Sequence, residues 1–234
     1  MNARCRAGSV MVMVMVMVMA SVMLSGSARA TPVLSNIASS FSNGYGFNSP
    51  TTVGLGFTSG TSAGQIDGLS LSLMSGLTNT SQSITFSVYL FAAGSNNLPT
   101  GAALSQDDNL SATWTNPVGG SFQQQTFSYT AASLPHLFAE TLSPNTKYVL
   151  AIGQSTGSPI YEQYWAVTST AYTTNEGYAF TTMSRSTDNL ASWSAVASNK
   201  PIAEISVASV PEPSVTAMVA VAAAGWVVVR RRRA

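Results

Sequence analysis

The chain has 234 residues, only 8% of them charged, and a formal net charge of +1; a soluble globular protein usually carries about 25% charged residues. Seven of the ten basic residues sit at the two ends (Arg4, Arg6, Arg29, Arg230, Arg231, Arg232, Arg233), leaving Lys147, Arg185 and Lys200 against eight acids between Thr31 and Val210, a balance of −5. A weakly acidic, lysine-poor middle offers nothing to phosphate backbones, so nucleic-acid partners are excluded, and the single cysteine, Cys5, excludes disulfides and thiolate-held zinc from the middle region.

Residues 1–30 open with Arg4 and Arg6, continue through the apolar run Val10–Leu24, and close on Ala28-Arg29-Ala30. A positive start, an apolar run and a small-residue A-x-A site in that order define a secretory signal peptide, here cut after Ala30. The competing reading is an anchor that stays attached; the small-residue stretch SGSARA favours cleavage. The alternating Val-Met run has a strand period but belongs to a targeting segment, expected as a signal-peptide helix, and says nothing about the fold.

Residues 31–209 are rich in Ser, Thr, Gly, Asn and Ala, with apolar residues at every second position. In Ser83–Ala93, Ile84, Phe86, Val88 and Leu90 share one face, and Thr85, Ser87 and Tyr89 the other, the pattern of a half-buried strand. Gln65–Met74 repeats it with Leu69, Leu71 and Leu73 against Ser70 and Ser72. Lys147–Gly153, Gly177–Met183 and Pro201–Val210 read likewise. Turn clusters separate them at Gly94–Gly101, Asn116–Gly120, Leu142–Thr146 and Gly157–Pro159. Short strands at regular spacing, with no sustained helical period, predict a single all-β domain: an antiparallel β-sandwich, jelly-roll-like.

Chemistry is sparse in this domain. Its sole histidine, His136 in Leu134-Pro-His-Leu-Phe138, has no nucleophile elbow to serve and reads as a loop or strand-edge residue. Asp107-Asp108-Asn109 lacks further acids at calcium-loop spacing and reads as a turn. No phosphate-binding glycine pattern occurs, and scattered acids leave a glycosidase pair unsupported. No metal or cofactor is expected, and no enzymatic activity. The aromatics Tyr164, Trp165 and Trp193 are the candidates for stacking against a sugar, with Trp114 also considered; against this stands their ordinary use as core residues.

The segments Gly56-FTSG60, Ile66-DGLSLSL73, Ser87-VYLF91, Leu98-PTG101, Leu142-SPNTKYVLAI152, Tyr164-Trp165 and Ser192-Trp193 together resemble the choice-of-anchor R domain across most of residues 50–207. That resemblance implies a β domain and brings no chemistry with it.

The chain closes on residues 210–234: Val210-Pro211-Glu212-Pro213, the apolar run Val215–Val229, and four arginines. Two prolines fix φ and remove two donors, keeping the approach extended. As a short transmembrane helix the run would span about 15 × 1.5, or ~22 Å, against a hydrocarbon core of ~30 Å. It is marginal as a permanent span, and Arg230 to Arg233 would stay on the cytoplasmic side as a stop-transfer block. This order of parts is similar to the PEP-CTERM sorting signal of Gram-negative bacteria. The resemblance implies a substrate of the exosortase, a membrane-embedded cysteine transpeptidase-like enzyme that reads Val210 to Pro213. The expected partners are thus the exosortase, the secretion machinery and, transiently, the inner membrane. The destination is the cell envelope, outer surface or a polysaccharide matrix. The expected role is a non-enzymatic surface or matrix protein; the alternative is a carbohydrate-binding module acting on exopolysaccharide.

Overall fold

A computed structural model describes residues 31–75, 82–114, 122–154, 163–196 and 199–210. The segments expected as a signal-peptide helix (residues 1–30), an apolar helix (215–229) and turns (Asn116–Gly120 and Gly157–Pro159) lie outside the described residues.

Alternation builds two antiparallel sheets. The first joins β1 (Thr31–Ser35), β2 (Asn43–Gly46), β4 (Gly64–Ser75), β7 (Gln123–Tyr129), β8 (Thr141–Leu142), β10 (Gln163–Thr168), β11 (Thr173–Thr174), β14 (Lys200–Pro201) and β15 (Ala203–Ser209). The second runs in the order β13 (Ser194–Val196), β12 (Ala179–Ser186), β3 (Thr52–Thr58), β9 (Lys147–Gln154), β5 (Gln82–Ala93), β6 (Pro99–Trp114). The chain passes between sheets repeatedly, as from β3 to β4, β4 to β5 and β9 to β10.

Inward residues from both sheets fill one core: Ile84, Phe86, Val88 and Leu90 of β5 and Leu150 and Ile152 of β9 meet Leu69, Leu71 and Leu73 of β4 and Trp165 and Val167 of β10. Each such side chain contributes about 1.5–3 kcal/mol by leaving water. Aromatic edges lock its centre, Phe47 and Tyr129 each meeting Phe86 edge-on at 6.0 and 5.8 Å. Ile66 lies inward together with Leu69 although the two differ in parity, because β15 shifts register between Ser206 and Val207 where it meets Gly68 and Ile66. A bulge of this kind inserts one residue and turns the strand's face.

The strict rule of polar residues outward fails at two places. Segment Asn36–Ser42 crosses the outer face of the first sheet: Ile37 packs against Met74, Ala166 and Ile202, and Gln124 Nε2 reaches Ser72 Oγ at 2.7 Å, so Ser72 is buried. On the outer face of the second sheet, Trp193 and Tyr89 cover Phe91, Val149 and Ala151, with the Trp193 and Phe91 rings edge-on at 5.6 Å.

Candidate functional site at the end of β15

The last strand, β15, lies in the interior of its sheet, between β1 and β4. Its ladder to β4 runs from Ala203↔Leu71 through Ala208↔Gln65 to Ser209↔Gly64. Its ladder to β1 ends sooner, at Thr31↔Val207. Val207 is buried, while Val210, one residue past the strand, is 36% exposed. The first strand of the domain therefore begins beside the end of the last, at one pole.

Glycines let the neighbouring chain approach this pole. A Cβ on Gly64 would sit 2.5 Å from Val207 Cγ1, and one on Gly60 would sit 2.4 Å from the Glu176 carbonyl oxygen. Gly177 has φ of +79°, which closes the turn from β11 into β12. Around these positions Thr61, Ser62, Glu176, Tyr178, Val207 and Ser209 line a cleft of about 220 Å³. Burial, the largest influence, pushes the Tyr178 phenol above its usual range.

Residues 209–233 match the PEP-CTERM protein-sorting motif. The match begins at Ser209, the last residue of β15. The motif implies an exported protein sorted to the cell envelope, with an exosortase as its processing partner. Of the expected sorting residues, Val210 is described; Pro211, Glu212, Pro213 and Arg230 to Arg233 lie outside the described residues, as do Ala28 and Ala30. Among the described residues no helix is long and apolar enough to cross a membrane. No curated protein matches the chain.

The three stacking candidates do not come together. Trp165 is fully buried, its Nε1 donating to the Ile202 carbonyl at 3.1 Å, so it has no face for a ligand; Trp114 is likewise buried. Tyr164 and Trp193 are half-buried, but Tyr164 packs on the outer cluster of the first sheet and Trp193 on that of the second. Successive residues of a strand point to opposite faces, which sends Tyr164 out where Trp165 goes in. The Tyr164 ring rests over Gly44, where a Cβ would meet its own Cβ at 2.7 Å, and Phe122 meets it edge-on at 5.5 Å. Two outer faces and one core position do not make one stacking surface.

Asp107-Asp108-Asn109 is not a turn between elements. It lies within β6, at a bulge where Phe86 pairs with Leu110 and Val88 with Asp107, and Asn109 takes φ of +60°. The buried Asp107, 4% exposed, gathers three donors. Its Oδ1 accepts from His136 N at 3.2 Å and lies 2.7 Å from His136 Nδ1; its Oδ2 accepts from Leu137 N at 2.8 Å. His136 begins the single-turn 3₁₀ segment Leu137–Ala139, with its own side chain 72% exposed. The carboxylate therefore caps that turn from a different strand, as side chains cap helix starts in general. Asp108 turns the other way and takes Ser87 Oγ at 2.5 Å and Gln106 Nε2 at 2.9 Å. Sequence reading missed this cap; its only local signal was an acid aligned with the inward residues Leu110, Ala112 and Trp114 across a bulge.

Proposed function

We propose that this chain is a non-enzymatic β-sandwich protein of a Gram-negative bacterium, exported through a signal peptide ending at Ala30 and processed by the exosortase near Pro211 to Pro213. It is then delivered to the cell surface or an extracellular matrix. The observation that carries the reading is the PEP-CTERM match at residues 209–233. The order of parts supports it: prolines keep the approach extended, the apolar run is short for a lasting span, and the arginines resist translocation. In this reading residues 50–207 form a choice-of-anchor R-like domain, supported by the segments quoted for it, which fall on β3, β4, β5, the start of β6, β8 to β9, and β10, with Ser192-Trp193 just before β13. The non-enzymatic role is supported by the commitment of the sole histidine: His136 turns Nδ1 to a carboxylate that is itself occupied in capping a turn. Stacking of a sugar chain on Trp165 finds no support, since that ring is enclosed.

Intact mass of the mature protein tests the sorting claim. The expected species begins at Thr31 and lacks Arg230 to Arg233; deletion of the exosortase restores the tail. A mature species that keeps those arginines in cells with a working exosortase overturns the reading.

A further inference from the structure

An open sheet ends in strands whose outer amides and carbonyls have no neighbour, and folded proteins blunt such edges by shortening, bulging or charging them. Most edges here are blunted. β2, β8, β11, β13 and β14 have between two and four residues. β6 is long, but its ladder to β5 shifts register twice, it carries Asp107 and Asp108, and the Ser111 carbonyl accepts from the Tyr129 hydroxyl at 3.2 Å. β7 has none of these devices. Its sequence, Gln123-Gln-Gln-Thr-Phe-Ser-Tyr129, includes no proline, glycine or charge, and no Asp, Glu, Lys or Arg occurs from Asn109 through Ala139. Its register against β4 is unbroken from Gln123↔Ser75 to Tyr129↔Leu69, and among the described residues β4 is its only strand partner. Alternate residues therefore turn their N–H and C=O away from β4, along a regular, uncharged edge.

We propose that β7 is the contact through which two copies of this chain pair, antiparallel and edge to edge, joining their first sheets into one. Self-complementarity and charge both favour a second copy as the occupant. Centred on Thr126, antiparallel pairing sets Thr126 opposite itself, Gln125 opposite Phe127, Gln124 opposite Ser128 and Gln123 opposite Tyr129. Glutamine amides supply both donors and acceptors to such a ladder. Gln125 and Phe127 lie on the face that β4 fills with Leu73 and Leu71. Phe127 is half-buried, its ring meeting Trp114 edge-on at 5.0 Å, so Gln125 of the second copy would cover what this chain leaves open. The region from Thr31 to Val210 carries eight acids against three basic residues, so two copies repel, and least where they meet on an uncharged strip. A peptide added to a sheet edge is chosen by pockets for its alternate side chains, and the cleft of about 220 Å³ is lined by no β7 residue. The symmetric contact uses the same edge of both copies, so it closes at two rather than growing into a fibre.

Analytical sedimentation of the mature protein tests the contact. Its mass should rise about twofold, from one chain to two, between about 1 μM and about 1 mM. Thr126 is exposed, so Thr126→Lys and Thr126→Glu should each fold with the wild-type urea midpoint. Each should weaken pairing by at least about tenfold, because like charges then stand directly across the two-fold axis. An equimolar mixture of the two variants should restore pairing, since opposite charges then face each other. The proposal is overturned if the wild-type protein stays a single chain at about 1 mM, whatever peptide or other partner binds it. It is also overturned if Thr126→Lys pairs as strongly as wild type, which puts the contact on another surface, or if the mixture pairs no better than either variant alone.

Discussion

Replacing Asp107 by alanine should destabilise the domain by about 3 kcal/mol, because three donors lose one charged acceptor. Hydrogen bonds to an ionised group contribute about 1.5–3 kcal/mol each, and a buried donor left without a partner costs about 1–3 kcal/mol. Leu137 is buried, so its N–H has no water to turn to once Oδ2 is gone. His136 is largely exposed, so water can replace Oδ1 at both its N–H and its ring. The loss is therefore concentrated in one bond and part of two others. Asp107→Asn keeps one acceptor and puts an amide donor against an N–H, for about 1–3 kcal/mol. His136→Ala removes only a solvent-facing ring contact, for about 0.5–1 kcal/mol. Urea unfolding of the mature protein, followed by fluorescence of the enclosed Trp114 and Trp165, would rank the three variants Asp107→Ala, Asp107→Asn, His136→Ala. If His136→Ala costs as much as Asp107→Ala, or if Asp107→Ala costs under about 1 kcal/mol, the carboxylate is not there to hold the turn and the structural reading of this pair is refuted.

Trp165→Ala should cost about 3–5 kcal/mol in the same unfolding assay, since the ring is fully buried and its N–H is bonded; a change under about 1 kcal/mol would mean that the ring does not fill the core. Gly44→Ala should cost about 1–3 kcal/mol by driving a methyl into Tyr164, and the double variant Gly44→Ala with Tyr164→Ala should recover most of the steric part. Glu176 takes φ of +56°, so Glu176→Gly should raise stability by up to about 1 kcal/mol, read as a higher urea midpoint at unchanged slope. Asp188 accepts from Ser192 and Ser186, and these hydrogen bonds, that of the Ser192 hydroxyl first, hold its carboxyl below the usual range. A depressed folded value stabilises above the unfolded one, about 3.9, and that contribution disappears as pH falls through the folded value. Asp188→Asn should therefore lower the melting temperature at neutral pH, with the difference from wild type closing below about pH 4.

The sequence reading succeeded where structure is decided within a few residues. β4, β5 and β9 announce themselves because Leu69, Leu71 and Leu73, or Ile84, Phe86 and Val88, repeat with a period of two beside serines and threonines. β6 does not. Ser105 and Asp107 lie buried before the bulge, and Leu110, Ala112 and Trp114 after it, so the inward parity switches from odd to even in mid-strand. A search for one period finds two short fragments out of phase and a polar Asp-Asp-Asn between them. That tripeptide has the composition of a turn, and Asn109 does adopt the left-handed backbone that turns favour; what composition cannot tell is that the partner strand continues past it. The same limit governed Tyr164-Trp165. Two adjacent aromatics in a strand must face opposite ways, but which one faces the core depends on register against β4 and β2, strands distant in sequence.

The sorting signal was legible for the opposite reason. Its parts are contiguous: prolines, apolar run and arginines follow one another in covalent order, and recognising that order needs no fold. What the sequence could not show is that this signal begins on an interior strand paired with the first strand of the domain. Thr31 and Val207 stand at the two ends of the folded region, and no local pattern joins them. Only the ladder between β1 and β15 does so. That pairing means that the first sheet closes only once residues from both ends of the folded region, Thr31 and Val207, have come together.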